Sequence, residues 1–129
     1  MRSIKRGFTL LEMLVVISII GVLVGIGAIS YSTAQKKARD TKRNLDLKAI
    51  QNCMEQNYSV NNSQYEELLG GIDDVAIQCG DNKTLQVKDP LSPNQVYSVD
   101  SSSTLDYTVS ATLEIPRGTE TTVTISNLQ

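Results

Sequence analysis

Met13 to Gln35 is an unbroken run of 23 uncharged residues, and a single acid, Glu12, stands at its start. As an α-helix rising about 1.5 Å per residue, the run covers roughly 30 Å, the thickness of a bilayer's hydrocarbon core. A carboxylate inside such a span costs about 2.5 to 3.5 kcal/mol at the bilayer centre and less toward its edge. Glu12 is therefore a candidate functional residue that needs a partner. Cutting the chain after Gly7 would create a cation in reach, the amino group of Phe8, because Phe8 and Glu12 share one helix face. Three basic residues, Arg2, Lys5 and Arg6, precede the span.

The stretch Arg6-Gly7-Phe8-Thr9-Leu10-Leu11-Glu12 resembles the processing signature of type IV pilins and the related pseudopilins. The resemblance implies that a membrane prepilin peptidase removes residues 1–7, cutting between Gly7 and Phe8 and methylating the new amino group, and that Thr9 and Glu12 serve assembly. It also implies a structural subunit with no enzymatic activity, whose partners are copies of itself, the peptidase and an inner-membrane assembly platform. The precursor would cross the inner (cytoplasmic) membrane once with its head outside. The product would be an extracellular pilus or a periplasmic pseudopilus serving adhesion, motility, DNA uptake or secretion.

Other readings stay open at this point. An ordinary secretory signal would share the basic leader, with Ala28 and Ser30 at its cleavage site, but its apolar region is normally about 7 to 15 residues without a carboxylate. A plain single-span anchor explains the length of the run but not Gly-Phe-Thr. A membrane-anchored or secreted binding domain that works alone is the alternative from a different functional class.

The expected fold class is α+β: a long N-terminal helix packed on a small antiparallel β-meander head. The expected divisions are a leader over 1–7, a membrane and assembly helix over 8–35, and a head over 36–129. Within the head, 36–58 continue the helix, 59–83 form a loop with a short helix, and 84–129 form the sheet. One helix from Phe8 to Tyr58 would be on the order of 75 Å long. A head of this size cannot cover it, so its first half must be buried by lipid or by copies of itself. Gly21, Gly25 and Gly27 lower helix propensity by about 1 kcal/mol each; they allow either local loosening or close helix-helix approach. Many members of the resembled family carry a proline in this helix, and here none is present.

In the second half, Leu45, Ala49, Ile50, Cys53 and Met54 make an apolar arc, interrupted by Asp46, with Asn44, Lys48, Gln51, Asn52 and Glu55 opposite. Ser63-Gln64-Tyr65-Glu66 fits a capping box opening a short helix that stops at Gly70-Gly71. Residues 72–83 are expected to be a loop carrying Cys79. Strands are expected at Leu85–Lys88, Val96–Val99, Leu105–Leu113 and Thr121–Ser126, with turns at 89–94, 100–104 and 116–118.

Net charge is −2, unevenly placed. Residues 30–58 carry six Lys or Arg against three acids, whereas residues 59–129 carry three against ten. The acidic part is a poor footprint for nucleic acid, and none is expected to bind directly. The basic block is expected to be a solvated helix face or a strip meeting the acidic head of a neighbour. Loop charges alone would put the C-terminal part in the cytoplasm, since five Lys or Arg lie within 36–43 against three in the leader. The cysteines and the processing signature oppose that orientation. Cys53 and Cys79 are expected to pair in an oxidising compartment, stabilising by roughly 3 kcal/mol; two buried free thiols are the alternative.

The chain lacks histidine, and no phosphate loop or nucleophile elbow occurs, so no catalytic or metal-binding residue and no cofactor is assigned. Asp73, Asp74, Asp81, Asn82, Asp89 and Asp100 are the only candidates for Ca²⁺, which related pseudopilins of secretion systems bind near the end of the sheet. Their spacing matches no known calcium loop. Asn-x-Ser/Thr triplets begin at Asn57, Asn61 and Asn82 and indicate exposure at most.

Overall fold

The computed structural model describes residues 7–68, 71–73, 75–80 and 83–128. The chain divides into two units at Gln35 and Lys36. Helix α1 is Leu10–Val60, uninterrupted because no proline occurs before residue 90. It ends by running into left-handed backbone at Asn62 (φ 51°) and Ser63 (φ 60°), conformations that asparagine tolerates better than most residues.

That ending removes the short helix expected after Ser63. A helix N-cap needs extended backbone and a free side-chain acceptor, but Ser63 is left-handed and its N–H donates to the Tyr58 carbonyl at 3.2 Å, closing α1. Residues 64–68 are irregular, and Tyr65 is buried, its N–H donating to the Thr104 carbonyl. Gly70, the expected stop, lies outside the described residues.

Among the described residues five strands follow: β1 Val75–Gln78, β2 Thr84–Val87, β3 Ser98–Ser102, β4 Tyr107–Arg117 and β5 Glu120–Ser126. They form two antiparallel sheets, a β1-β2 hairpin and a β3-β4-β5 meander. The architecture is α+β as expected, with corrections in detail. β1 occupies part of the expected 72–83 loop; Ile77 points inward while Ala76 and Gln78 are exposed, the period-2 pattern of a half-buried strand. The third strand begins two residues later than expected because Tyr97 is used in an isolated bridge to Ile72. β4 runs on through Pro116 and Arg117, leaving the turn to Gly118 (φ 66°) and Thr119. Gly80 takes a left-handed φ of 65°, and a Cβ there would lie 3.1 Å from the Val60 side chain, so a larger residue would be strained and would need Val60 to give way.

The inward face of α1 differs from the expected arc. Leu47, Ile50, Cys53 and Met54 are buried, but Leu45 is 62 % exposed. Asp40 and Arg43, expected on a solvated face, are buried on the same side as Leu47. They reach partners in the meander and the 89–95 loop, so the true stripe is apolar toward the helix C-terminus and ionic near Lys36. Asp46, the break in the arc, accepts the Tyr97 hydroxyl at 2.6 Å.

Arg43 is fully buried and every N–H it carries has an acceptor. Nε and Nη2 clasp Asp89 at 2.7 and 3.0 Å, Nη2 also donates to Gln95 at 2.7 Å, and Nη1 donates to Asp40 at 2.7 Å and Glu114 at 3.3 Å. Asp40 in turn accepts the backbone N–H groups of Glu114 and Ile115, both at 2.9 Å, where β4 loses register with β5 between Thr112 and Arg117. Arg39 pairs with the Glu114 carboxylate through Nε and Nη2 at 2.5 and 2.7 Å. The hydrogen bond from Arg39 holds the Glu114 carboxyl below the usual carboxylate range, and the hydrogen bonds that Arg43 donates to Asp89 hold Arg43 charged more firmly still.

At the other end of the head the core is aromatic. Tyr65 stacks between Tyr58 (centroids 4.6 Å) and Tyr107 (5.0 Å), and Glu55 accepts the hydroxyls of Tyr65 and Tyr107. Beside this cluster Cys53 and Cys79 form a disulfide that ties α1 to the end of β1.

Two outcomes follow for the head. Cys79→Ser should lower its stability by about 2 to 5 kcal/mol, read by chemical denaturation with and without reductant. Linked Cys53 and Cys79 peptides should appear in unreduced digests of exported protein; freely alkylated thiols would contradict the bond. The second outcome concerns alkali. Burial, then the hydrogen bond to Glu55, pushes Tyr65 up to about 12, and burial pushes Tyr97 and Tyr107 higher. Their neutral forms are favoured in the fold, so this stabilisation is complete below the unfolded value near 10 and is lost as pH rises through the folded values. The head should unfold above about pH 10, read by loss of circular dichroism; a head that keeps its circular dichroism well beyond pH 12 would refute it.

Candidate assembly and processing site

Gly7, Phe8 and Thr9 precede α1, and Thr9 is its N-cap. The Thr9 Oγ1 accepts the Glu12 N–H at 3.2 Å, while Glu12 Oε2 accepts both the Thr9 N–H and the Thr9 hydroxyl at 2.9 Å. This is a reciprocal capping box. It satisfies two backbone donors that would otherwise be costly in an apolar medium, and it puts a negative group at the positive end of the helix dipole. Thr9-x-x-Glu12 has the spacing of a capping box, a signal separate from the carboxylate's need for a cation.

The expected site residues Gly7, Phe8, Thr9 and Glu12 thus lie together on one short segment. Phe8 is 75 % exposed, and a Cβ added at Gly7 would meet nothing within 4 Å. The chain itself therefore accepts a larger residue at position 7, so any restriction to a small one comes from whatever acts on the segment.

Beyond Glu12, every residue from Met13 to Gln35 is exposed, although the helix is long and apolar enough to cross a membrane. Three of the hydroxyls within it are turned back on the helix: Ser18 donates to the Leu14 carbonyl at 2.8 Å, Ser30 to Ile26 at 3.4 Å and Thr33 to Ile29 at 3.3 Å. This leaves a surface with few free polar groups, as hydrocarbon requires. Added Cβ atoms at Gly21, Gly25 and Gly27 would also meet nothing within 4 Å.

Residues 2–28 match the family model of the prokaryotic N-terminal methylation motif. A relative, the type II secretion system core protein G of Escherichia coli (strain K12), is 35% identical over 71 residues, 55% of this chain. Over its N-terminal segment the chain is thus similar to proteins that carry this methylation motif and to a type II secretion core protein. It spans about half the length of that relative, 48%. No solved structure matches the chain significantly. The methylation motif covers the capping box and most of the apolar span, so the family's signature and the geometry coincide on one segment.

Among the described residues, the candidate calcium residues Asp73, Asp89 and Asp100 form no group placed to hold a metal. Asp89 is committed to Arg43, Asp73 accepts the Ser92 hydroxyl at 2.6 Å, and Asp100 is exposed. Asp74, Asp81 and Asn82 lie outside the described residues. Among the described residues no group of three or more His, Cys, Asp or Glu side chains is placed to hold a metal.

Proposed function

We propose that this chain is a non-enzymatic subunit of a secretion-type pseudopilus, made as a membrane-inserted precursor, cut between Gly7 and Phe8 and polymerised through residues 8–35. The observation that carries the reading is an exposed apolar helix of membrane length headed by the Gly7-Phe8 step and the Thr9-Glu12 box. The name of the relative favours secretion over adhesion, motility or DNA uptake. Before assembly the span lies in the cytoplasmic membrane with the head outside; after assembly the spans of neighbouring copies cover one another. A prepilin peptidase and an inner-membrane assembly platform are the partners this life cycle needs.

Glu12 has the central part. Once Gly7 is removed, the Phe8 amine of an incoming subunit is attracted to a Glu12 already in place, and in low dielectric the attraction is several-fold stronger than in water. The pairing also fixes axial register, because any other offset leaves both charges buried and unpartnered. Electron microscopy of sheared or overproducing cells tests the whole reading: filaments containing this chain support it, and a membrane-confined monomer supports the solitary binding domain instead.

Processing and assembly separate in two variants. Gly7→Val should leave an uncleaved precursor in the membrane, whereas the wild-type mature protein should begin at Phe8; a start at Tyr31 would show that an ordinary signal peptidase acts. Glu12→Gln retains a side-chain oxygen to accept the Thr9 N–H, so the capping box survives while the charge is lost. This variant should insert and be cleaved normally yet give few or no filaments. Normal filament yield from it would remove the assembly role assigned to Glu12.

A further inference from the structure

Two strand edges of the head lie against no other strand among the described residues: β5 ends the β3-β4-β5 sheet, and β2 ends the β1-β2 sheet. The other two edges are engaged. Beside β3, Tyr65 and Leu68 donate backbone N–H groups to the Thr104 carbonyl and the Ser102 hydroxyl, and Ile72 bridges Tyr97; on β1 the Gln78 N–H is taken by Glu66. On β5 the Ser126 carbonyl turns away from β4 to accept the Gln51 amide at 2.8 Å. By the alternation of an antiparallel strand, Thr122 and Thr124 also aim their N–H and C=O groups off that edge. On β2 the Lys83 carbonyl accepts the Cys79 N–H at 2.7 Å, so Thr84 and Gln86 aim theirs off the other edge. Neither residues 121–126 nor β2 contains a charged residue or a proline, two devices that normally protect an exposed edge.

The two edges flank α1 on opposite sides. β5 meets Gln51, whereas Thr84 and Leu85 share an open groove of about 350 Å³ with Ala49, Asn52 and Gln56, and Gln51 lies about 200° round the helix from Ala49. They also run in opposite directions. β4 passes from Glu55, at Tyr107, to Asp40, at Glu114, so β5 runs with α1. β2 passes from the level of Gln56 toward Lys88, whose carbonyl accepts Lys42 Nζ, and so runs against it.

We infer that heads join side by side, the β5 edge of one copy adding as an antiparallel strand to the β2 edge of a second copy. The inference rests on the filament reading, in which every copy points the same way. Edges opposed in both direction and flank are what copies of one polarity need in order to pair, and a heterologous contact of this kind propagates instead of closing a dimer. The faces agree as well. Thr122, Thr124, Thr84 and Gln86, which aim off the edges, have exposed side chains, while Val123, Ile125, Leu85 and Val87 pack toward the core, so the ladder joins outer face to outer face and inner to inner. Setting Thr122 opposite Gln86 and Thr124 opposite Thr84 brings exposed Glu120 level with Lys88 and leaves Ser126 to Gln51. Antiparallel pairing of β5 with its own counterpart would require heads of opposite polarity, which one filament does not contain.

The test uses the full chain in cells that assemble it. Thr122→Cys with Gln86→Cys in one chain, treated with a short bifunctional thiol reagent, should give a ladder of cross-linked multimers in sheared filaments, and neither single variant should cross-link. Dimers from Thr122→Cys alone would show β5 pairing with itself, and filaments without a ladder would show that the two edges do not meet; either result overturns the inference. A second pair of variants separates backbone from side chain. Thr124→Pro removes the N–H that points off the edge and spares the ladder to β4, the kind of edge position that tolerates proline. With cleavage at Gly7 and the Cys53–Cys79 bond as checks on folding, it should lower filament yield about tenfold, whereas Thr124→Val, which keeps the N–H, should not. Normal yield from Thr124→Pro, or an equal loss from Thr124→Val, also overturns the inference. Absence of filaments from the wild type would instead overturn the filament reading on which the inference stands.

Discussion

The buried Arg43 guanidinium is the contact on which the arrangement of the head depends. Its five N–H donors are shared among Asp89, Gln95, Asp40 and Glu114, which come from the loop after β2, from α1 itself and from β4. Bringing a charge into the interior costs several kcal/mol, and even a well-made buried pair returns little net stability. Its effect is on specificity. Removing one partner would strand the others at a cost of about 3 to 5 kcal/mol, so alternative placements of the loop or of β4 against α1 are strongly disfavoured. Asp40 extends this to the backbone, accepting two N–H groups where β4 is irregular. The apolar core can be satisfied by many packings; the ionic cluster accepts one.

Around that fixed point the head is held by three different means along α1. Ion pairs act near Lys36, aliphatic packing of Leu47, Ile50 and Met54 in the middle, and the tyrosine cluster with the Cys53–Cys79 bond toward Val60. A head of some 90 residues has a small core whose burial leaves only a modest stability margin, and a covalent tie and a directional ionic one flank it. The membrane-length part of α1 obeys another logic. Its residues from Met13 to Gln35 are exposed, three of its hydroxyls are bonded back to the helix, and its one carboxylate is occupied by Thr9. Such a surface is stable only in hydrocarbon or against other helices like it.

How much of this was legible depended on whether a residue's role was local. The apolar span, the continuous helix, the α+β class and the segment from Gly7 to Glu12 could be read because periodicity, length and a short motif express them. β2, β4 and β5 were found within a few residues, since alternation of Val, Thr and Ile is also a local signal. What sequence reading missed was long-range. Arg43 and Asp40 look like ordinary members of a solvated basic helix until residues about 50 to 75 positions away, Asp89 and Glu114, are brought against them. Tyr97 was expected in the middle of a strand, yet its bridge to Ile72 and its bond to Asp46 shift β3 onward. Ser63 carried a helix-start motif but is consumed in ending the previous helix, a competition that the motif alone does not reveal.

The division of labour between arginine and lysine joins the interior to the surface. In the basic block, both arginines face inward and are engaged by carboxylates, while Lys36, Lys37, Lys42 and Lys48 are exposed. The planar guanidinium suits fixed, bidentate contacts and is weakly hydrated, whereas the lysine ammonium is strongly hydrated and mobile. Exchanging the two types would leave net charge unchanged but place flexible point charges in the core and sticky forks on the surface. The internal pairs neutralise Asp40, Asp89 and Glu114, the acids packed against the basic block. The ionic cluster that fixes the fold therefore also decides which charges of the basic block stay on its surface.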